Sequence, residues 1–238
     1  MIRNIFTLAI LTLFFVACNS QVTSTVKLQP TSVIDKHQGA IDKFWKWFES
    51  NEKELRNFQR NPDKYLGQVL DSAENIEGGL AIEFEPPANN TINVTISADG
   101  NRDLFPVVQK IVESAPKING WTFVAFRQRI PIEKVKGMNF EVKGTKLSPD
   151  NMKFYPIITG DTLDLIIYAN NITEENYNQA AYSSLLLVDN ILGEYDCVMK
   201  VRHFDLQNTP TKKEELKDLL PLLDLAEFVD NFQKTKRP

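Results

Sequence analysis

Between Asp35 and Arg60 the apolar residues Ile41, Phe44, Trp45, Phe48, Leu55 and Phe58 recur at helical spacings with Lys and Glu between them. Such a stripe is what an α-helix buries against a core. Asn61-Pro62 supplies an N-cap and a proline at the first helical position, where its missing N–H costs nothing. Tyr65, Leu66, Val69, Leu70 and Ala73 then continue on one face as far as Gly78-Gly79. The pattern predicts a helical hairpin over 35–79.

From Leu80 the period changes from helical to alternating. Leu80 to Glu85 and Ile92 to Ile96 alternate at period two around Pro86-Pro87-Ala88-Asn89-Asn90, which is turn chemistry. Leu104, Phe105, Val108, Ile111 and Val112 mark a helix, with Pro106 tolerable in its first turn if Asp103 is the cap. Trp121 to Arg127 reads as a strand after Asn119-Gly120. The order β-β-α-β then returns. Met152 to Ile158 and Leu163 to Tyr168 form a hairpin around Thr159-Gly160-Asp161, a helix capped by Thr173 runs to Leu192-Gly193, and Tyr195 to Phe204 supplies a closing strand.

Ile96-Ser97-Ala98 and Ile167-Tyr168-Ala169 hold equivalent places in the two patterns, about 71 positions apart. The expected fold is therefore α+β, with duplicated ββαβ units over 80–136 and 152–206 forming a mainly antiparallel sheet with helices packed on it. A connector over 137–151 contains a candidate edge strand at Phe140-Glu-Val142. Residues 207–238 should end the chain with a bent or split helix, opened by a capping box at Thr211-Lys-Lys-Glu214 and interrupted by Pro221. All of 35–238 is read as a single domain.

Composition adds limits. The chain has 238 residues, 42% of them apolar, enough for one sizeable core or two small ones. Its 31 acidic and 27 basic residues are mixed along the sequence, giving a formal charge of −4. No basic block of the kind nucleic-acid binding uses is present, so no nucleic-acid partner is expected. Two cysteines, Cys18 and Cys197, do not make a disulfide scaffold if the first is modified.

The N-terminus changes the picture most. Met1-Ile2-Arg3-Asn4 is a short positive segment, and Ile5 to Val16 is nearly unbroken apolar sequence, shorter than the roughly 20 residues that span a bilayer. Phe15-Val16-Ala17-Cys18 then resembles the lipobox of bacterial lipoproteins, with Phe15 where Leu is usual. The resemblance implies a signal peptide over 1–17, cleavage after Ala17, diacylglyceryl on the Cys18 sulfur and an acylated new N-terminus. Residues 18–34, polar and Ser/Thr-rich, read as a flexible tether. The absence of an acidic residue just after Cys18 implies outer-membrane sorting in a cell that has two membranes. On the same resemblance the membrane, palmitate included, is the expected partner of Cys18, in a bacterial cell envelope.

Candidate chemistry is sparse. His37 reads as a partly buried packing residue and His203 as a structural residue in a strand, and neither sits in a zinc or triad spacing. No metal site or cofactor is expected. The loop Ser97-Ala98-Asp99-Gly100-Asn101 passes from strand to helix, a place where backbone N–H groups hold anions, but it lacks the phosphate-loop and dinucleotide patterns. Cys197 reads as a buried small residue. Asn89-Asn-Thr91, Asn93-Val-Thr95 and Asn171-Ile-Thr173 match the N-glycosylation pattern. Asp71-Ser72-Ala73 and Asp161-Thr162-Leu163 resemble a short bacterial O-glycosylation sequon. Trp47, Trp121 and Arg127 are the candidate ligand-binding residues, in a cleft between the first helix and the sheet.

Phe44-Trp-Lys-Trp-Phe48, Ile96-Ser-Ala-Asp-Gly100, Gly120-Trp-Thr-Phe-Val-Ala-Phe-Arg127 and Leu192-Gly-Glu194 together resemble a group of uncharacterised bacterial proteins of the domain-of-unknown-function type, over about Asp35 to Leu206. That resemblance implies one compact unit and carries over no catalytic residue. The expected function is a lipid-anchored, non-enzymatic binding or scaffold domain for an unknown protein or small molecule. Two alternatives stay open: an envelope hydrolase using carboxylates such as Asp99 or Glu194, and a subunit of an envelope complex.

Overall fold

The structure, a computed structural model, describes residues 35–234. The predicted signal peptide, Cys18 and the tether therefore lie outside the described residues. Helix α1 (Asp35–Leu55) buries Ile41, Phe44, Trp45, Phe48 and Leu55, the stripe read from the sequence. The Trp45 indole N–H donates to the carbonyl of Ile111 at 2.9 Å, which settles the polar end of a buried ring. Helix α2 (Pro62–Glu74) starts as its caps require, the Asn61 side chain accepting from the Lys64 N–H.

The first ββαβ unit consists of β1 (Ala81–Phe84), β2 (Ile92–Ser97), α3 (Phe105–Glu113) and β3 (Trp121–Ala125). Strand β2 lies between antiparallel β1 and parallel β3. The register puts Phe84, Val94 and Phe123 side by side on the face that meets α1, with Trp121 beside Ile92. Phe48 inserts among these rings, 5.0 Å from Trp121 and 5.2 Å from Phe123 between centroids.

A short helix α4 (Ile132–Val135) and a two-stranded hairpin, β4 (Phe140–Val142) and β5 (Thr145–Leu147), follow. Lys143 and Gly144 both take positive φ at the turn, the conformation that twists a two-residue hairpin correctly. The second unit is β6 (Lys153–Thr159), β7 (Thr162–Ala169), α5 (Tyr177–Leu192), α6 (Glu194–Lys200) and β8 (His203–Asn208). Its middle strand β7 again lies between an antiparallel and a parallel neighbour. The chain ends through α7 (Lys213–Leu216), β9 (Leu220–Pro221) and α8 (Leu225–Lys234).

The protein is thus α+β, and among the described residues antiparallel pairings outnumber parallel ones. The two units do not merge, because each keeps its own sheet and its own core. One hydrophobic cluster runs from Ile41 to Phe126 and the other from Val135 to Val229.

Three boundaries differ from the sequence reading. Tyr195 to Phe204 was expected to be a strand, but Glu194–Lys200 is helix α6, and β8 starts only at His203. The spacing of three from Tyr195 to Val198 to Val201 is helical, and Tyr195 and Val198 face the first core. Thr173 does not directly cap α5. It exchanges reciprocal hydrogen bonds with Asn176, whose neighbour Tyr177 opens the helix. The capping box at Thr211 is not formed, since Lys212 is the N-cap of α7 and makes no side-chain cap bond. Pro221 splits the terminal helix by joining β9 at the edge of the second sheet, a position that a residue without an N–H tolerates.

Phe48 has 0% exposure, whereas Ile158 at the β6–β7 turn has 51%. Phe48→Ala is expected to lower unfolding free energy by about 3–5 kcal/mol, and Ile158→Ala by about 0.5 kcal/mol or less. Urea unfolding of both variants checks this; equal losses would contradict the assignment of the core.

Candidate functional site

The three residues picked for binding are not brought together. Trp121 opens β3 and Arg127 lies past its end, about 20 Å away at the usual strand rise. The Trp121 ring is core, packed against Phe48 and Phe84, with its N–H donating to Glu52 at 3.2 Å and the Arg56 guanidinium stacked over it. Trp47 is half-buried against the same core. The expected cleft between α1 and the sheet is filled by aromatic rings. Arg127 alone leads to a different site.

At that end of the first sheet lies a buried carboxylate. Glu194, 1% exposed, comes from the second unit. Its Oε1 accepts from the N–H groups of Ala98 (3.0 Å) and Gly100 (3.2 Å), and its Oε2 from the N–H of Arg127 (3.1 Å). Asp99 and Gly100 both take positive φ, which turns these N–H groups inward as a nest. The loop that looked able to hold an anion therefore holds one, and the protein supplies it.

The neighbouring backbone is stitched to the same place. The Glu194 N–H donates to the Arg127 carbonyl at 2.9 Å, and the Ile130 N–H to that of Asn190 at 2.8 Å. Gly193, at φ 73°, brings the α5–α6 junction so close that a Cβ would stand 3.1 Å from the Arg129 nitrogen. Arg129 donates to the Leu192 carbonyl and to the carboxylates of Asp196 and Asp230, tying residues 126–131, the strap between β3 and α4, to α6 and α8. Its pKa is raised, chiefly by the Asp230 hydrogen bonds.

Arg127 donates to Glu83 at 2.5 Å and to Asp99 at 3.0 Å. Burial alone would lower its pKa, but these bonds raise it. Both carboxylates named for a hydrolase are thus engaged: Glu194 with three N–H groups, and Asp99 with Arg127. Asp189 on α5 stands beside this cluster. Burial, reinforced by the negative charges of Glu194, Glu83 and Asp99 and opposed by Arg127, pushes its carboxyl up to about 6. Among the described residues its side chain makes no hydrogen bond.

Next to Arg127 a cleft of about 500 Å³ opens over the outer face of the first sheet. Glu83, Thr95 and Val124 cross its floor as paired neighbours on β1, β2 and β3. Ile130, Pro131 and Met138 of the strap and connector form an apolar wall, and Lys134 and Asn190 stand at its rim. Thr95 is only 7% exposed, and its hydroxyl makes no hydrogen bond among the described residues. Unlike the enclosed hydroxyls of Ser184 and Thr209, which lack a partner among the described residues, the Thr95 hydroxyl opens onto the cleft.

Comparison with protein-family models, with curated proteins and with solved structures gave no match. The site is therefore read from its own chemistry. Among the described residues, no group of three or more His, Cys, Asp or Glu is placed to hold a metal ion. No described helix is long and apolar enough to cross a membrane. His37 is buried and bonded to Glu77 at 2.8 Å beside a mainly apolar hollow, while His203 is exposed and contacts Asp164 at 3.2 Å. Burial, with the nearby carboxylates of Asp189, Asp196 and Glu194, pushes the Cys197 thiol up to about 12, against the thiolate form.

Two outcomes follow. Glu194→Ala should lower unfolding free energy by about 3 kcal/mol or more, because three inward N–H groups lose their acceptor. Glu194→Gln, which retains one acceptor oxygen, should cost about half of that; urea unfolding at pH 7 reads both, and an equal or negligible loss would refute Glu194 as the latch between the two units.

Because the folded carboxyl of Asp189 titrates above its ordinary 3.8, the native state binds the extra proton between pH 3.8 and about 6. Stability contributed by this group is therefore full at low pH and falls as pH rises through 6. Allowing for solvent screening, Asp189→Asn should recover about 1 kcal/mol at pH 7 relative to pH 4.5. Denaturation midpoints at the two pH values measure it, and a pH slope unchanged by the substitution would contradict the assignment.

Proposed function

We propose that this protein is a lipoprotein of a bacterial cell envelope, tied to its membrane through lipid on Cys18, and that its folded body is a non-enzymatic binding domain. The observation that carries the binding role is the cleft beside Arg127, with the unpartnered Thr95 hydroxyl at its floor. A volume of about 500 Å³ falls in the range of small-molecule sites, roughly 300–1,000 Å³. The three N–H groups that fill the Glu194 carboxylate support binding over hydrolysis at that residue, since a proton shuttle needs a free carboxyl oxygen facing substrate.

The anchor reading rests on the sequence around Cys18. Two or three acyl chains, at about 0.8 kcal/mol per buried methylene, hold a body that presents no described spanning helix. A second reading, a subunit of an envelope complex, is favoured by exposed Tyr155 and Ile157 on the open face of the second sheet.

Cells grown with labelled palmitate should yield a labelled protein in the membrane fraction, and Cys18→Ala should move it, unlabelled, to the soluble fraction. An unlabelled wild-type chain washed free of membranes would end the anchor reading. In a thermal-shift screen of a mixed library of polar small molecules, at least one should raise the melting temperature, since ligand at 100 times Kd adds about 2.7 kcal/mol. The cleft-filling Thr95→Phe should abolish that shift; a shift that survives it, or none with any compound, would refute the cleft.

A further inference from the structure

We propose that the cleft is a carbohydrate site, taking a short neutral oligosaccharide whose hydroxyls bridge its paired charges; this rests on the cleft being a binding site at all. The argument starts from donors and acceptors that the fold leaves unused. Arg127 spends its Nε and one Nη on Glu83 and Asp99, so among the described residues its other Nη is free to donate. Glu83 spends one oxygen on Arg127 and keeps the other. Lys134 has no charged partner among the described residues, and the Asn190 amide makes no side-chain hydrogen bond. Thr95, more than nine-tenths buried, faces the same space with one donor and two acceptor sites unused.

These groups interleave. An anion entering the cleft meets Glu83, and a cation meets Arg127 and Lys134, so either ion is opposed by a like charge. Vicinal hydroxyls suit the arrangement, because one donates to the Glu83 carboxylate while its neighbour accepts from Arg127 or Lys134. A sugar ring also has an apolar C–H face, and Val124, Pro131 and Met138 present apolar surface beside the charges. The Thr95 hydroxyl serves as donor or acceptor to whichever sugar hydroxyl reaches the floor.

The test is isothermal titration of the full-length protein in detergent with cellotriose, mannotriose and chitotriose, and with trigalacturonate and spermidine as charged comparisons. At least one neutral trisaccharide should bind saturably, about tenfold more weakly to Thr95→Val, which keeps shape and loses the hydroxyl. Lys134→Ala, at an exposed position, should weaken the same ligand several-fold with the fold intact by melting temperature. Saturable binding of trigalacturonate or spermidine alone, weakened by Thr95→Val, overturns the carbohydrate assignment while leaving the binding cleft. Neutral-sugar affinity unchanged by both substitutions, or no binding by any probe, also overturns it; the cleft itself falls only if the polar-library screen fails too.

Discussion

The carboxylate of Glu194 is the constraint on which the arrangement of the two units depends. A buried charge is tolerated only when its lone pairs are filled, because its desolvation costs several kcal/mol. The three donors come from two places in the first unit, the loop after β2 and the end of β3. Satisfying one side chain therefore fixes the α5–α6 junction against both. Gly193 is the residue that lets the junction approach so closely, and Arg129 then fastens the strap against it. Tyr195, one residue past the carboxylate, stacks 5.7 Å from Phe105, so the polar contact is sealed by apolar surface.

The same demand is met differently in the two units. In each, the loop after the middle strand needs hydrogen-bond partners, and each finds some at the end of the parallel third strand. In the second unit Asn208 does this with one neutral amide, its side chain donating to the Ile172 carbonyl and accepting from the Ile172 N–H. In the first unit Arg127 reaches Asp99 with charge, and the N–H groups of the loop are left to a carboxylate from outside. The two loops share a topology, but the first is incomplete without the second unit. That asymmetry turns a repeat into one interlocked structure.

The periodic parts of this architecture were legible in the sequence. The stripe Ile41, Phe44, Phe48, the Asn61-Pro62 start and the alternating hairpins fix local structure within a few residues, and the structure bears them out. What was not legible depends on distant residues. Tyr195 and Val198 read as strand because the surface they would cover lies in the other unit. Trp121 looked available for a ligand, yet Phe48, 73 positions earlier, fills the space around it. Thr95 alternates with core residues Val94 and Ile96, so the sequence places it on the open face and predicts exposure. It is buried only because the strap and connector, arriving from 30 and more positions later, roof that face. The Asp99-Gly100 loop did carry its signal, a nest for an anion. The sequence could not say that Glu194 would fill it.

A latch of this kind has a consequence for what the cleft can do. The strap that forms one wall of the cleft is the segment held by Glu194, Asn190 and Arg129. Its position is therefore set by the fold before any ligand arrives, and a ligand entering a preformed cleft spends little of its binding energy on ordering the protein. Glu194 itself lies outside the cleft lining, and its three N–H donors tie it to the junction between the units. The carboxylates that do line the cleft, Glu83 and Glu85, are held by Arg127 and Asn93, so its polar wall is ordered along with the strap.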